Sequence, residues 1–256
     1  MKSPATRQIG GFDISDVTAD DLAAEIDRRI AMRQKTLLFF VNSNFVVKCQ
    51  ALREHMAAAP VIAVNDGLGM KLASLAVHGR RFAANMNGTD FIPFYLRRGT
   101  GPIRVFLLGS HEEDLAGASA ALAAMGGIEL AGVQDGFSFR QKGDALMAEI
   151  NASRADIVLV GMGNPLQEAW ILANHQALDA PLIAGVGALF VWLSGRRKRA
   201  PGIVQRLSME WAYRLLIEPR RLAGRYTLGI ARFTVLAFAH RPRRIGAAGE
   251  ARDPAR

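Results

Sequence analysis

The chain has 256 residues, half of them hydrophobic, with a formal net charge of +9 at neutral pH. That length and apolar fraction allow a sizeable core in one large domain, or in a domain with an appendage. A single cysteine, Cys49, excludes an internal disulfide and fits a reducing compartment; the polar start and the lack of an apolar run of about 18 uncharged residues argue against a signal peptide and a spanning helix.

In chain order, Asp16, Thr18 and Asp20 open a helical pattern over residues 12–34, with Leu22, Ile26 and Ile30 on one face. Thr36 to Val41 reads as a strand ending in Asn42-Ser43-Asn44, and a helix follows through about His55. Val61 to Val64 is a second strand, with Asn65-Asp66-Gly67 at its end and a helix through about Val77. Ile103 to Leu108 is a strand, and Gly109-Ser110 turns into a helix with Ser110 and Glu113 spaced as a capping box. Ile128 to Val133 is a strand ahead of Asp135-Gly136-Phe137, and Lys142 to Arg154 reads as a helix. Leu182 to Val186, ending at Gly187, is the last strand. Strands alternating with helices predict an α/β fold, a Rossmann-like, mainly parallel sheet wrapped by helices.

The richest stretch is Asp156 to Glu168. Ile157 to Val160 is a buried-strand pattern, Gly161 and Gly163 permit a tight turn, and Asn164, Pro165 and Gln167 suit a helix cap, first turn and capping box. Such a turn aims backbone N–H groups at the crevice beyond the strand, where a phosphate or a polarised carbonyl would bind. It equally serves as a plain strand-to-helix turn. Leu166 occupies the third-glycine position of a dinucleotide fingerprint, so the loop is not one. In a parallel sheet, ligands bind outside the carboxyl ends of the strands. The polar candidates there are Asn42, Asn44, Asp66, Ser110, Asp135, Asn164 and Gln167. On position alone Asp66 is a candidate base, or an ordinary Asx turn.

Past Gly195 the character changes. Residues 196–256 hold 15 Lys and Arg against 4 Asp and Glu, whereas the preceding 195 residues hold 17 against 19. Ile203, Leu207, Trp211 and Leu215 recur on one helical face, Pro219 ends that helix, and residues 226–240 form a second apolar segment with scattered arginines. Basic amphipathic helices with Trp and Tyr suit an anionic membrane surface; the alternative is helices packed on the main domain with arginines in water. The expected division is a domain over 1–195, a basic helical appendage over 196–245 and a disordered tail over 246–256. The five histidines show no metal-ligand spacing, and no Walker A sequence, Gly-x-Ser-x-Gly elbow or nucleic-acid module occurs.

Asn65-Asp66-Gly67, Gly88-Thr89-Asp90, Gly161-Met162-Gly163-Asn164-Pro165-Leu166-Gln167-Glu168, Ser194-Gly195-Arg196-Arg197-Lys198-Arg199-Ala200-Pro201, Glu210-Trp211-x-x-Arg214-Leu215 and Glu218-Pro219-x-Arg221, with Arg225-Tyr226 behind, form an ordered series of motifs. That series resembles the WecG/TagA/CpsF family of bacterial glycosyltransferases. Asn87-Gly88-Thr89-Asp90-Phe91 looks most like the GumM-like exopolysaccharide branch.

The resemblance implies inverting, metal-independent transfer of a hexose from a UDP-sugar to a polyprenyl-diphosphate-linked saccharide, by a peripheral enzyme on the cytoplasmic face of the inner membrane. It implies Asp66 as general base and Gln167 beside the donor or acceptor sugar. It places the donor nucleotide over Gly109, Ser110, Gly136, Phe137, Gly161, Gly163 and Asn164. Asn42, Asn44, Arg214, Arg221 and Arg225 would face the acceptor, no resident cofactor or metal is expected, and relatives point to self-association. Two departures stand out: Asn85 replaces an arginine common in relatives, with Arg80 and Arg81 nearest, and Phe137 replaces a tyrosine. UDP-glucose is the first donor expected, then UDP-N-acetylmannosamine or its uronic acid. Competing readings are a non-catalytic nucleotide-sugar-binding scaffold and a basic-tailed oxidoreductase, the latter disfavoured by the missing fingerprint.

Overall fold

The computed structural model describes residues 5–99, 101–197, 213, 215 and 227–240. Eight strands form one sheet: β1 (Thr6–Ile9), β2 (Phe12–Ser15), β3 (Thr36–Val41), β4 (Val61–Asn65), β5 (Ile103–Gly109), β6 (Ile128–Gln134), β7 (Ile157–Gly161) and β8 (Leu182–Gly185). Their order is β1-β2-β4-β3-β8-β7-β5-β6, parallel throughout except for the β1–β2 hairpin. This is the expected α/β, Rossmann-like arrangement.

Alternation along the central strands explains the layers. Leu37, Phe39 and Val41 of β3, with Val158 and Val160 of β7, point to one face. Helices α2 (Ser43–Lys48), α3 (Arg53–Ala58), α4 (Leu68–His78), α8 (Asp144–Ala152) and α9 (Leu166–Asn174) cover that face, as does α11 (Leu228–Ala239). Leu38, Phe40, Ile157 and Leu159 point to the other face, under α1 (Ala19–Ala31), α5 (Gly88–Arg97), α6 (Glu112–Ala123) and α10 (Leu189–Leu193). Strands covered on both sides read as continuous apolar runs, and each fully buried Leu or Phe contributes roughly 1.5–3 kcal/mol. The chain leaves β3 for the first face and its neighbour β8 for the second. Their connections therefore diverge and open a crevice at the carboxyl ends.

Several local expectations need correction. β2 occupies the start of the 12–34 stretch that reads as leading into a helix, and the β1–β2 hairpin is not among the expected elements. Its signal is Gly10-Gly11, both at positive φ as a two-residue turn requires, between alternating Arg7/Ile9 and Phe12/Ile14. The helix expected through His55 is broken after Lys48, because the Gln50 side chain donates to Val46 O at 2.8 Å and takes the carbonyl that the next helical N–H would use. The helix expected over 142–154 spans only α8, because Gly143 at φ +50 separates it from a short helix that ends at Lys142, α7 (Phe139–Lys142). α5, capped by the Asn87 side chain, was read only as a motif. The Ser110–Glu113 capping box does not form: Ser110 sits at φ +63, its hydroxyl donates to Asp114 at 3.0 Å, and His111 takes the cap position.

Candidate active site

At the tip of β4, half-buried Asp66 directly precedes α4. Asn42, at the tip of neighbouring β3, does two things with one amide. Its Oδ1 accepts from Phe45 N at 3.0 Å and caps α2, while its Nδ2 donates to Asp66 Oδ2 at 3.2 Å. The cap fixes the amide, and the amide fixes one carboxylate oxygen. From the other side Asn85 Oδ1 accepts from Gly67 N at 2.6 Å, and Asn65 Nδ2 donates to Ala84 O at 3.0 Å. The segment after α4 is thus strapped against the Asp66 turn. Asn85, noted only as a departure, holds that turn, whereas Arg80 and Arg81 are exposed.

The strap has its own anchor. Buried Arg7 pairs with Asp16, donates to Ser74 Oγ at 2.7 Å and Arg80 O at 2.9 Å, and lies 4.9 Å from the Phe82 ring centroid. Asp16 in turn accepts from Ala83 N at 2.7 Å.

The β7 tip differs from its sequence reading. α9 begins at Leu166 with Pro165 at the cap position, so Asn164 is not the cap. Its amide is drawn elsewhere: Nδ2 donates to Glu168 Oε1 at 2.7 Å, and Oδ1 accepts from Asn44 Nδ2 at 3.2 Å. Gln167 is buried, with Oε1 accepting from Gly163 N at 3.1 Å and Gly187 N at 3.0 Å, and Nε2 donating to Glu168 Oε1 at 2.7 Å. Gln167 therefore braces the β7 tip to the β8 tip. Glu168 is fully buried, and burial raises its carboxyl above the ordinary range. Its Oε2 lies 3.7 Å from Cys49 Sγ, a thiol that burial and the neighbouring carboxyl also push up. The sequence reading missed Glu168, although its i+4 spacing from Asn164 is the signal that joins the two.

The remaining glycines let strand tips touch. A Cβ on Gly109 would stand 2.6 Å from Gly161 O, and one on Gly136 would stand 2.9 Å from Ser110 N. Beyond them lies an open hollow of about 500 Å3 lined by His111, Glu112, Glu113, Asp135, Phe137 and Arg196. Phe137 is exposed, with its ring 4.5 Å from that of His111. Asp135 orders this turn by accepting from Ser138 Oγ, Ser138 N and Phe137 N, bonds that lower its carboxyl from the usual range. Arg196, which opens the basic segment, pairs with Glu113 at 3.0 Å and buried Asp114 at 3.3 Å. His111 and Arg196 had no place in the sequence reading of this hollow.

A family model described as Glycosyl transferase WecG/TagA/CpsF family matches residues 7–246. The chain belongs to the WecG/TagA/CpsF family. Its class of reaction is glycosyl transfer, and the strand-tip crevice is where such a family member with this sheet would bind substrates. Of the expected site residues, the structure brings Asn42 to Asp66, and Asn44 to Asn164 and Gln167 through Glu168. Gly109, Ser110, Gly136 and Gly161 meet at adjoining tips, and Phe137 lies on the hollow beside them. Arg214, Arg221 and Arg225, and the tail over 246–256, lie outside the described residues. Among the described residues no helix is long and apolar enough to cross a membrane, and no group of three or more His, Cys, Asp or Glu forms a metal-ligand set.

Proposed function

We propose that this chain transfers a hexose, glucose first, from a UDP-sugar to a polyprenyl-diphosphate-linked saccharide in exopolysaccharide or other cell-surface polysaccharide synthesis, with inversion and without a metal ion. The observation that carries the reading is Asp66, half-buried at a strand tip and held through Oδ2 by Asn42 at 3.2 Å. Its carboxylate takes the proton of the acceptor hydroxyl while that oxygen bonds to the anomeric carbon. The bond from that carbon to the diphosphate breaks on the opposite side, and the electron pair leaves with UDP. β4 and β7 are three strand spacings apart in the sheet order, about 14 Å. A donor lying across the tips, with its base on Phe137 and His111 and its diphosphate near the Gly109 and Gly161 tips, brings its sugar toward Asp66. Backbone N–H groups and the arginines of the basic segment, Arg214, Arg221 and Arg225 among them, neutralise the leaving diphosphate. Gln167 enters by bracing the loops beneath the sugar.

The place of action in this reading is the cytoplasmic face of the inner membrane. Two features support it: the basic surplus after residue 195, and α11. That helix buries Phe233 and Ala237 and leaves Leu228, Ile230, Val235 and Phe238 exposed. It packs against α4, which leaves Leu72 and Leu75 exposed.

The test is sugar transfer by the purified full-length chain from a panel of labelled UDP-sugars to polyprenyl-diphosphate-glucose, with chelator present. Transfer from one donor, lost in a folded Asp66→Asn variant, is the expected result. Transfer at full rate by that variant would remove Asp66 from the role, and UDP binding with no transfer from any donor would favour a scaffold protein.

A further inference from the structure

Glu168 has no part in the reaction as written above, yet at the strand tips three side chains converge on it. It is fully buried, and three neighbours converge on its carboxyl group: Asn164 and Gln167 through Oε1, each at 2.7 Å, and Cys49 beside Oε2. A side-chain amide has a donor end and an acceptor end, and its direction is set by what it faces. Because Oε1 accepts, Asn164 must turn its NH2 inward, which leaves its Oδ1 for Asn44. Asn44 then spends its NH2 on Asn164 at 3.2 Å. Its own Oδ1 accepts nothing from the described residues, and the side chain is only half-buried. By the same logic Gln167 turns its NH2 to Glu168 and its Oε1 to the N–H groups of Gly163 and Gly187.

We propose that Glu168 is a positioning residue for sugar transfer, fixing the direction of the Asn164 and Gln167 amides so that Asn44 offers its carbonyl oxygen to a hydroxyl of a bound sugar and the β7 and β8 tips stay joined beneath it. The proposal rests on the glycosyl-transfer reading for its substrate class. Burial raises the carboxyl above its ordinary range, and Oε1 accepts from both amides while the Cys49 thiol donates to Oε2 at 3.7 Å. One carboxyl group thus acts on Asn164 at the β7 tip, through it on Asn44 of α2, and through Gln167 on Gly187 beyond β8.

Two substitutions separate direction from packing. Glu168→Gln can keep a carbonyl oxygen toward both amides, with its NH2 toward the sulfur. Glu168→Met fills nearly the same volume and accepts nothing. Two readouts are taken on each: steady-state transfer, and side-chain amide hydrogen exchange of Asn44, Asn164 and Gln167 by NMR. Glu168→Gln is expected to hold kcat within about threefold of wild type and to keep the amides protected. Glu168→Met is expected to lose the protection and to lower kcat about 10- to 100-fold, with the donor KM within about twofold. Glu168→Asp, which pulls the acceptor back by one methylene, serves in its place if the methionine variant does not melt cooperatively. Wild-type kcat in a variant whose amides have lost protection would overturn the positioning role, and unchanged amide exchange would overturn the assignment of direction. If the wild-type chain transfers no sugar, the functional reading fails on its own, and the exchange data still decide whether Glu168 sets these amides.

Discussion

Replacing Gly161 by alanine tests whether the tips of β7 and β8 are packed as tightly as the structure shows. A Cβ there would stand 2.7 and 2.8 Å from two ring carbons of Phe190 and 3.0 Å from Gly187 O. Phe190 is fully buried, so its ring has no open space to swing into, and the third contact is backbone. Overpacking of this kind costs about 1–3 kcal/mol, while alanine for glycine at an ordinary φ returns about 0.4–1 kcal/mol through the unfolded chain. The net is a loss of about 1–2 kcal/mol, and for a chain of this size a fall in Tm of about 3–6 °C. Thermal unfolding followed by circular dichroism reads the shift. A double-mutant cycle with Phe190→Leu assigns its cause, since the smaller side chain should relieve the clash and leave a coupling of at least about 0.5 kcal/mol. Gly163→Ala is the control: Gly163 sits at φ +77 with nothing within 4 Å of its Cβ position, so its cost, about 1 kcal/mol, is conformational and independent of Phe190. An unchanged or raised Tm in Gly161→Ala, or an additive cycle, would refute the argument.

Three further outcomes are expected. Arg7→Met leaves half-buried Asp16 without its cation and frees the strap behind Asp66, so stability should fall by about 1.5–3 kcal/mol in urea unfolding; a loss below about 1 kcal/mol would show that the ion pair does not anchor the segment. Burial raises the Glu168 carboxyl above its ordinary 4.5, so the folded chain holds that proton more tightly than the unfolded chain does. Its contribution to stability is complete below about pH 4.5 and declines as pH rises toward the folded value, by at most about 1.4 kcal/mol per pH unit. Urea unfolding from acid to neutral pH should therefore show wild type losing stability relative to Glu168→Gln as pH rises, and a constant difference would contradict the buried neutral acid. On α11, Val235→Glu with Phe238→Glu changes two exposed side chains, so Tm should hold while flotation with anionic vesicles drops several-fold; undiminished flotation would remove α11 from the membrane reading.

What the sequence determined by itself was whatever depends on neighbours along the chain. Apolar β-branched runs followed by glycine and polar residues marked six parallel strands and their tips, because a strand buried on both faces has no polar alternation to obscure it. For the same reason the sequence alone puts Asn42, Asp66, Ser110 and Asn164 at the carboxyl ends of the strands. The appendage showed only as a charge surplus. Tertiary structure decided the rest. Gln50 broke a helix because its amide reached Val46 O and Gly10 O across the hairpin. Asn164 gave up the cap position because a buried carboxyl four residues on needed donors. Gln167 was committed to two loops, one at Gly163 and one at Gly187, twenty residues further on than Gln167 itself, and Asn85 to the N–H of Gly67. Gln50 and Gln167 each join a group near in sequence to one that only folding brings close, and Gln167 and Glu168 lie buried, where an unmet polar group costs far more than at the surface.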